Sequence, residues 1–428
     1  MTGKADTPGP RLADDCFAGP QKLLRAEEAL AAILGAAVTV AEREEVPVEE
    51  AGGRVLAEEI AAPQDVPAFD NAAVDGYAFA HASLAHPGPT RLAIAGRAAA
   101  GHPFEGAVRL GEAVQILTGA MVPEGADTIV MQEDVETADG HVIVPAGAKP
   151  GANRRRKGED VKAGSVILGP GHRMRPQDVG AAVSLGRGRL KVRRRLRVAI
   201  FSTGDEIVPP GADLPPGQVY DANRPILRAL LAPLGVGLID LGVLRDERGR
   251  VQAALEDAAA RADLILTTGG ASKGAEDHVM ASVEAIGRLH AWQLAIKPGR
   301  PLGMGQIGDT VFVGLPGNPV AAIVCFLMFV QPLMARLQGE TWRPPLRVRV
   351  PARFEMKKKP GRREYLRGIG VREADGTLTG VAKFPRDGSG ILTSLREADG
   401  LIEVAEETTR IAEGDLVTFL PFHAPGLM

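Results

Sequence analysis

Residues 263–277 read D-L-I-L-T-T-G-G-A-S-K-G-A-E-D, and this pattern indicates the architecture of the whole central region. An apolar run ends in two threonines, the pair Gly269-Gly270 follows, and the periodicity then becomes helical, which predicts a buried strand, a glycine loop and a helix. Backbone N–H groups of such a loop suit a phosphate. The carboxylate of Asp277 beside a phosphate suits a divalent cation. The segment therefore predicts a phosphate site with a metal ion.

Composition narrows the class of protein. The chain has 428 residues, 45% hydrophobic and 24% charged, which is typical of a globular protein of about three domains. Aromatic residues make up only 4% and the net charge is -3, so we expect neither nucleic acid nor a membrane surface as a partner. Cys16 and Cys325 lack metal-type spacing and favour a reducing, cytoplasmic location. The longest apolar run, 320–330, is too short for a membrane span and predicts a buried helix.

Composition changes along the chain predict the domain boundaries. Residues 1–20 are rich in Pro, Gly, Ala and Asp and are expected to be disordered. Helical spacing follows at 23–34, and 51–58 is a candidate second helix. Residues 21–67 and 151–190 are expected to form one linker domain, with a strand at 165–168 and a helix at 176–185. Residues 68–150 carry short strand-like pieces with many turns and predict an inserted β domain.

Two segments carry charge runs without a clear chemical pattern. Residues 153–160 read N-R-R-R-K-G-E-D, which is either a solvated loop or an anion-binding linker. Residues 187–197 hold seven basic residues without interleaved aromatics. We therefore interpret them as a solvated hinge or strand lead-in rather than a nucleic-acid site.

The region 191–340 alternates strands and helices, which predicts a parallel sheet in a three-layer α/β domain. Polar loops follow four of these strands, at 203–206, at Asp246, at 268–277 and at 317–318. The carboxyl ends of parallel strands share one edge, so these loops should converge there. Residues 341–428 return to short strands and predict a small β-barrel domain.

Seven motifs in order resemble one family. They read F-D-N-A-A-V-D-G-Y, I-L-T-G-A-M-V-P-E-G-A-D, R-R-K-G-E-D, F-S-T-G-D-E, T-G-G-A-S-K-G-A-E-D, A-I-K-P-G-R-P and L-P-G-N-P-V. Together they resemble the molybdopterin molybdenumtransferases, the bacterial relatives of the gephyrin E domain. The resemblance implies a linker domain of two segments, an inserted β domain, an α/β molybdopterin-binding domain and a C-terminal β-barrel. It also implies a homodimer whose cleft lies between the α/β domain of one subunit and the β domain of the other.

The family reaction takes adenylylated molybdopterin and molybdate, releases AMP and leaves molybdenum cofactor, as the final step of that biosynthesis. Cleavage of a phosphoanhydride depends mainly on positioning and electrostatics, so no covalent nucleophile is required. The resemblance implies Mg²⁺ as cofactor, held by Asp246 and Asp277. It also leaves room for transient contacts with other cofactor-biosynthesis proteins.

The resemblance carries the expected site residues onto this chain in three groups. The catalytic group is Asp75, Thr118, Asp160, Glu206, Asp246 and Asp277. The substrate-binding group is Ser202, Thr203, Gly204, Gly269, Gly270, Ser272, Lys297, Pro316, Gly317 and Asn318. The molybdate group is Arg300, Pro301, Arg367 and Ser389.

The chain departs from the family pattern at three positions. Ala72 and Ala321 stand where many relatives have Ser, so no hydroxyl contact can be assigned there. Lys273 adds a positive charge to the glycine loop and either binds phosphate or points to solvent. Two other functions compete with the transferase. A molybdopterin adenylyltransferase would need only the α/β domain, and a scaffold of the animal type would need a fused domain and a long linker.

Overall fold

The computed structural model describes residues 23–85, 87–269 and 278–423, which form four domains. The expectation of disorder for residues 1–20 lies outside the described residues. Gly270, Ser272, Lys273 and Asp277 of the glycine loop also lie outside them.

The first linker segment begins the described chain. Its elements are α1 (Ala26–Ala36), β1 (Arg43–Pro47), a 3-10 turn (Val48–Glu50) and β2 (Ile60–Ala61). The helix predicted at 51–58 is wrong. Gly53 turns the chain with φ +73°, and the buried Val55 and Leu56 then bridge Arg173 and Val192 of the second linker segment. Extended pairing buries both side chains at once, which a helix beginning with two glycines would not do.

The inserted domain is built on one six-stranded sheet. Its elements are β3 (Asn71–Ala72), β4 (Gly76–Phe79), β5 (Thr90–Ala98), β6 (Glu112–Ile116), β7 (Thr128–Met131), β8 (Glu136–Ala138) and β9 (His141–Val144). The sheet order is β7-β4-β6-β5-β9-β8, and all neighbours are antiparallel except β5 and β6. Two apolar clusters cover its two faces, one containing Val114 and Ile129 and the other Phe79 and Leu92. The region is therefore a β domain, as its turn-rich sequence indicates.

The chain then returns to the linker domain. The second segment contains β10 (Arg154–Arg155), β11 (Val166–Leu168), α2 (Pro176–Ser184) and β12 (Arg189–Arg193). β10 pairs with β3, β11 with β2 and β12 with β1, all antiparallel. The basic run at 187–197 is thus largely a strand, and its Arg189 pairs with Glu45 on β1. Its charges are used within the protein, and β12 continues three residues past the predicted domain end at 190.

The α/β domain contains the largest core. Its elements are β13 (Arg197–Thr203), β14 (Ile207–Val208), β15 (Val219–Tyr220), α3 (Asn223–Leu231), β16 (Gly237–Leu244), α4 (Arg248–Arg261), β17 (Leu264–Thr268), α5 (His278–Ile286), β18 (Arg288–Gln293), β19 (Ile296–Lys297), β20 (Pro301–Ile307), β21 (Thr310–Leu315), α6 (Pro319–Cys325) and α7 (Gln331–Leu337). Val198 and Ile200 of β13 face the core under α1, α3, α6 and α7, whereas Ala199 and Phe201 face α4 and α5. This alternation makes three layers.

The sheet of this domain is mixed, so the predicted parallel sheet is present only in part. Its order is β16-β13-β17-β21-β20-β18, with β16, β13, β17 and β21 parallel and the last two strands antiparallel. The two extra strands form because Gly303 and Gly305 let β20 lie close to Met280 and to the backbone of Arg288. The four parallel strands still end at one edge.

The helix after β21 forms the centre of the core. It runs through α6, a π-helical turn (Phe326–Val330) and α7. The span Pro319–Leu337 is long and apolar enough to cross a membrane, but 94% of its most apolar window is buried inside the protein. The predicted buried helix is therefore present.

The C-terminal domain is a curled sheet. Its elements are β22 (Val348–Pro351), β23 (Met356–Lys357), β24 (Arg363–Arg372), β25 (Leu378–Lys383), α8 (Thr393–Glu397), β26 (Gly400–Val404), β27 (Arg410–Ile411) and β28 (Leu416–Pro421). The strand order is β25-β24-β26-β28-β22, and Ala352 after β22 bridges Val381 of β25, so the sheet closes on itself. β19 of the α/β domain adds to β24, which joins the two domains.

Candidate active site

Polar side chains collect at the carboxyl edge of the α/β sheet. Ser202 at the end of β13 donates a hydrogen bond to Asp221 at 3.1 Å, and its Oγ lies 3.1 Å from Oγ1 of Thr268 at the end of β17. Asp221 is 3% exposed and also accepts bonds from the backbone and side chain of Arg224. This buried network fixes the ends of the two central strands against α3.

The neighbouring turns touch each other across this edge. Asn223 donates from Nδ2 to the carbonyl of Gly317 at 2.6 Å, which ties the start of α3 to the turn after β21. Gly269 has φ +87°, and a Cβ at this position would meet the carbonyl oxygen of Thr203 at 2.7 Å. Only glycine allows this close approach. The turns after β13, β17 and β21 therefore converge, as the sequence predicts.

Acidic side chains occupy the β16 end of the same edge. Asp246 and the neighbouring Thr203 each keep a buried oxygen that has no hydrogen-bond partner of normal geometry among the described residues. Burial raises the pKa of Asp246, and the nearby carboxylates of Asp205 and Glu206 raise it further. The orphaned buried oxygen of Asp246 is a donor of the type that a hard divalent cation binds. Within the ranges 23–85, 87–269 and 278–423, no group of three metal-ligating side chains is already assembled.

A cavity of about 640 Å³ opens between the α/β domain and the C-terminal domain. Its size is in the range of small-molecule sites. It is lined by Gly269, Ile296, Lys297, Pro298, Gly299, Arg300, Pro301, Pro316, Gly317, Asn318, Ala321, Arg362, Tyr365, Leu366, Arg367, Asp387, Gly388 and Ser389.

The Lys297–Pro301 turn is held from behind by the core helix and from the side by the C-terminal sheet. Gly299 has φ +106°, and a Cβ there would meet Sγ of the buried Cys325 at 2.6 Å. Lys297 pairs in register with Glu364 of β24, and its ammonium lies 3.3 Å from that carboxylate. Glu364 is 4% exposed, whereas about half of the Lys297 side chain is exposed. A buried acid in one domain thus holds an accessible cation of the other.

Arg367 is the most buried cation of the cavity, with 6% exposure. Its Nε donates to Ser394 at 3.1 Å, and its Nη2 donates to the carbonyls of Arg386 and Gly388 at 3.3 and 3.4 Å. Burial lowers the pKa of Arg367, and Asp387 opposes that shift. The backbone of Ser389 accepts a bond from the N–H of Val320 at the start of α6. Arg367 therefore positions the loop that carries Ser389 as well as lining the cavity.

Three polar lining residues were not identified as site residues from the sequence. Arg362 faces the cavity, and its side chain has no ion pair with another described residue. Tyr365 is 2% exposed, and burial raises the pKa of its hydroxyl. Asp387 is the single carboxylate among the described residues of the lining. A loop with mixed charge gives no local signal of the cavity that it borders, because that cavity exists only between two domains.

The remaining predicted acids lie on the inserted domain and its connection. Asp75 accepts two hydrogen bonds at one carboxylate oxygen, from the Oγ1 and the backbone N–H of Thr118, both at 2.7 Å. These two bonds lower the pKa of Asp75, so it is an ionised acceptor at neutral pH. Asp160 is exposed, and its backbone N–H donates to the carbonyl of Val66 at 3.1 Å. The cavity is not lined by Asp75, Thr118 or Asp160.

The structure thus divides the predicted residues into separate groups. The four predicted molybdate residues, with Lys297, Gly269 and the turn 316–318, share the cavity. Asp246 and Glu206 lie along the same sheet edge outside it, as do Ser202, Thr203 and Gly204. Ala72 is fully buried and Ala321 lines the cavity with 4% exposure, and neither position offers a hydroxyl.

Comparison with known proteins agrees with this architecture. Three family models match the chain in order: the MoeA N-terminal region (domain I and II) at residues 24–186, the probable molybdopterin binding domain at 199–336, and the MoeA C-terminal region (domain IV) at 349–422. A molybdopterin molybdenumtransferase from Haemophilus influenzae is 39% identical over 378 residues, covering 88% of this chain and 93% of the relative. Molybdopterin molybdenumtransferase 2 from Mycobacterium tuberculosis is 35% identical, covering 86% and 92%.

A solved structure shows the same arrangement of domains. The molybdopterin biosynthesis moeA protein from Pyrococcus horikoshii OT3 superposes with a TM-score of 0.79 at 30% identity, covering 94% of this chain and all of that one. The fold and the cavity define a multidomain protein with a molybdopterin-binding type of α/β domain. The chain belongs to the molybdopterin molybdenumtransferase family, as its seven motifs indicate.

Proposed function

We propose that this chain catalyses insertion of molybdenum from molybdate into adenylylated molybdopterin with release of AMP, the final step of molybdenum cofactor biosynthesis. The observation that carries the proposal is the cavity between the α/β and C-terminal domains, which gathers Lys297, Arg300, Arg362 and Arg367 beside the Gly269 turn. Ammonium and guanidinium donors bind a tetrahedral oxyanion. The glycine turn lets the backbone come close to the rest of the substrate. Family membership supports the same reaction.

The test is turnover by purified protein supplied with adenylylated molybdopterin, molybdate and Mg²⁺. We expect AMP and molybdenum cofactor to appear in equal amounts. The alternative of a molybdopterin adenylyltransferase predicts formation of adenylylated molybdopterin from ATP instead. The long β domain and the linker argue against it. The proposal would be overturned if the protein made adenylylated molybdopterin from ATP and released no AMP when adenylylated molybdopterin was supplied.

We propose Mg²⁺ as the cofactor, held by Asp246 and by Asp277, which lies outside the described residues. The orphaned Oδ1 of Asp246 supports this choice. When bound, the ion would offset negative charge on the phosphoanhydride. Excess chelator should abolish AMP release, and Asp246→Asn should weaken Mg²⁺ binding measured by calorimetry. Because the pKa of Asp246 is raised and a protonated carboxyl does not bind the ion, more Mg²⁺ should be needed as the pH falls.

We propose that the chain forms a homodimer. Asp75 and Thr118 of one subunit would then face the α/β domain of the other across the cleft. Two exposed apolar side chains near Asn71 support a covering partner: Met121, 38% exposed, bridges Asn71, and Phe69, 43% exposed, lies two residues before it in the chain. Sedimentation should give a dimer, and a monomer at working concentration would contradict the proposal.

The proposed location is the cytoplasm, where transient contacts with other cofactor-biosynthesis proteins would allow handover. The support comes from cysteine usage, because the described Cys325 is a buried free thiol. Cell fractionation with antibody detection would test the location. Enrichment outside the cytoplasmic fraction would contradict it.

A further inference from the structure

Asp387 is a carboxylate in a cavity otherwise suited to anions. Lys297, Arg300, Arg362 and Arg367 line the same space. A tetrahedral dianion gains from these cations and is repelled by Asp387. Oxyanion binding alone therefore gives no reason for this side chain to face the cavity.

The protein holds Asp387 in place from two sides. The buried guanidinium of Arg367 donates to the carbonyls of Arg386 and Gly388, the residues directly before and after Asp387, at 3.3 and 3.4 Å. Lys383 lies 2.9 Å from Oδ1 of Asp387. The Asp387 side chain is nonetheless 63% exposed, so it keeps open acceptor sites. Hydrogen bonding from Lys383 lowers its pKa, and the carboxylate is ionised at neutral pH.

The cavity is also larger than an oxyanion needs. Each water molecule takes a share of about 30 Å³ in the liquid, and a five-atom oxyanion displaces only a few of them. The cavity holds about 640 Å³. Ile296, Pro316 and Leu366 give it apolar walls, which a flat ring would contact and an oxyanion would not. The lining therefore fits a ring with a polar edge together with an anion.

We propose that Asp387 recognises the pterin ring of the substrate by accepting hydrogen bonds from the amino-pyrimidine edge. A pterin presents its 2-amino group and the adjacent ring N–H as two donors side by side, and a carboxylate presents two acceptors. The adenine edge alternates a donor with an acceptor, so it matches a carboxylate less well. This inference rests on the proposed function, and it adds a residue that selects the ring and not the metal oxyanion.

The experiment measures AMP release by the full-length protein while adenylylated molybdopterin and molybdate are varied separately. Asp387→Asn places an amide beside the ring donors. We expect it to raise the KM for adenylylated molybdopterin at least tenfold, about 1.4 kcal/mol, without raising the molybdate concentration needed for half-maximal rate. Lys383→Met removes the ion-pair partner and leaves the carboxylate, so its KM should stay within about threefold of wild type.

The outcomes separate the possible failures. If Asp387→Asn melts like wild type and keeps the wild-type KM, the inference is overturned while the proposed function stands. If Lys383→Met raises the KM as much as Asp387→Asn does, the ion pair matters for the loop and the ring contact is overturned. If wild-type protein releases no AMP, the proposed function fails and this inference fails with it.

Discussion

The cavity and the Asp75–Thr118 pair represent two kinds of site in one chain. The cavity is enclosed by two domains of the same chain, and the buried Glu364 holds one of its cations, Lys297. Asp75 and Thr118 satisfy only each other at the surface of the inserted domain and line no described cavity. Among the described residues, the proposed anion-binding groups therefore lie within one chain, whereas the role proposed for Asp75 requires a second surface.

Subunit mixing tests this difference most strongly. Asp75→Ala and Asp246→Ala should each lower AMP release at least about 100-fold, because each removes a carboxylate from the proposed cleft. A mixed population of the two variants, formed by co-expression, should recover about a quarter of wild-type activity. Half of its dimers are mixed, and one of the two clefts in each mixed dimer is intact.

The controls for this mixing are unchanged melting and unchanged molybdate binding by each variant. Activity that stays absent in verified mixed dimers would show that both carboxylates act within one subunit. The cavity and the Asp75–Thr118 pair would then differ only in how deeply their side chains are buried.

Arg367 and Arg300 separate support of the cavity from contact with its ligand. Arg367→Ala leaves two carbonyls and Ser394 without their donor, so we expect the free energy of unfolding to fall by about 2–4 kcal/mol. The molybdate concentration needed for half-maximal rate should rise at least tenfold. Arg300 is exposed and has no ion pair with another described residue. Arg300→Ala should raise the molybdate concentration needed for half-maximal rate and leave the melting temperature unchanged.

Chemical denaturation and molybdate titration measure the two effects. Equal destabilisation by both variants would contradict the distinct roles. A wild-type molybdate dependence in Arg367→Ala would remove it from the oxyanion site.

Thr118→Val gives the smallest expected effect. Two hydrogen bonds lower the pKa of Asp75, and the variant keeps only the one from the backbone. A carboxylate with a lowered pKa stays ionised until the pH falls through that value, so the acid limb of the pH–rate profile should move to higher pH in the variant. The rate at neutral pH should fall only a few-fold, and molybdate binding should not change. An unmoved acid limb would show that Asp75 does not set it.

The sequence predicted the elements whose signals are local. β13, β16, β17 and β21 are apolar runs that end in polar or glycine residues, and parallel packing brings their ends together whatever the rest of the chain does. The antiparallel strands β18 and β20 were missed because polar residues interrupt the apolar pattern of β18, and a proline and two glycines interrupt that of β20. What specifies them is the partner strand rather than their own composition. Turn-rich composition predicted the β character of the inserted and C-terminal domains, and the resemblance implied the same domain types.

The candidate site was predictable only in part for a related reason. The polar turns at the sheet edge follow from strand order. The cavity joins residue 297 to residue 389 across two domains, and no periodicity links them. The molybdate residues came from motif resemblance, while Arg362, Tyr365 and Asp387 have no motif and appear only when the domains are packed. Gly270, Ser272 and Asp277 stay predictions, because they lie outside the described residues.

The connection to the inserted domain has a consequence for protein engineering. Outgoing and returning chains run side by side, pairing β2 with β11, bridging Val66 to Val161 and pairing β3 with β10. The excursion is thus a long hairpin whose stem belongs to the linker domain. A short turn joining the strands near Ala61 and Val166 would shorten the hairpin without changing its base. We expect the shortened protein to keep the cavity that binds the substrate anion and to lack the inserted domain that carries Asp75.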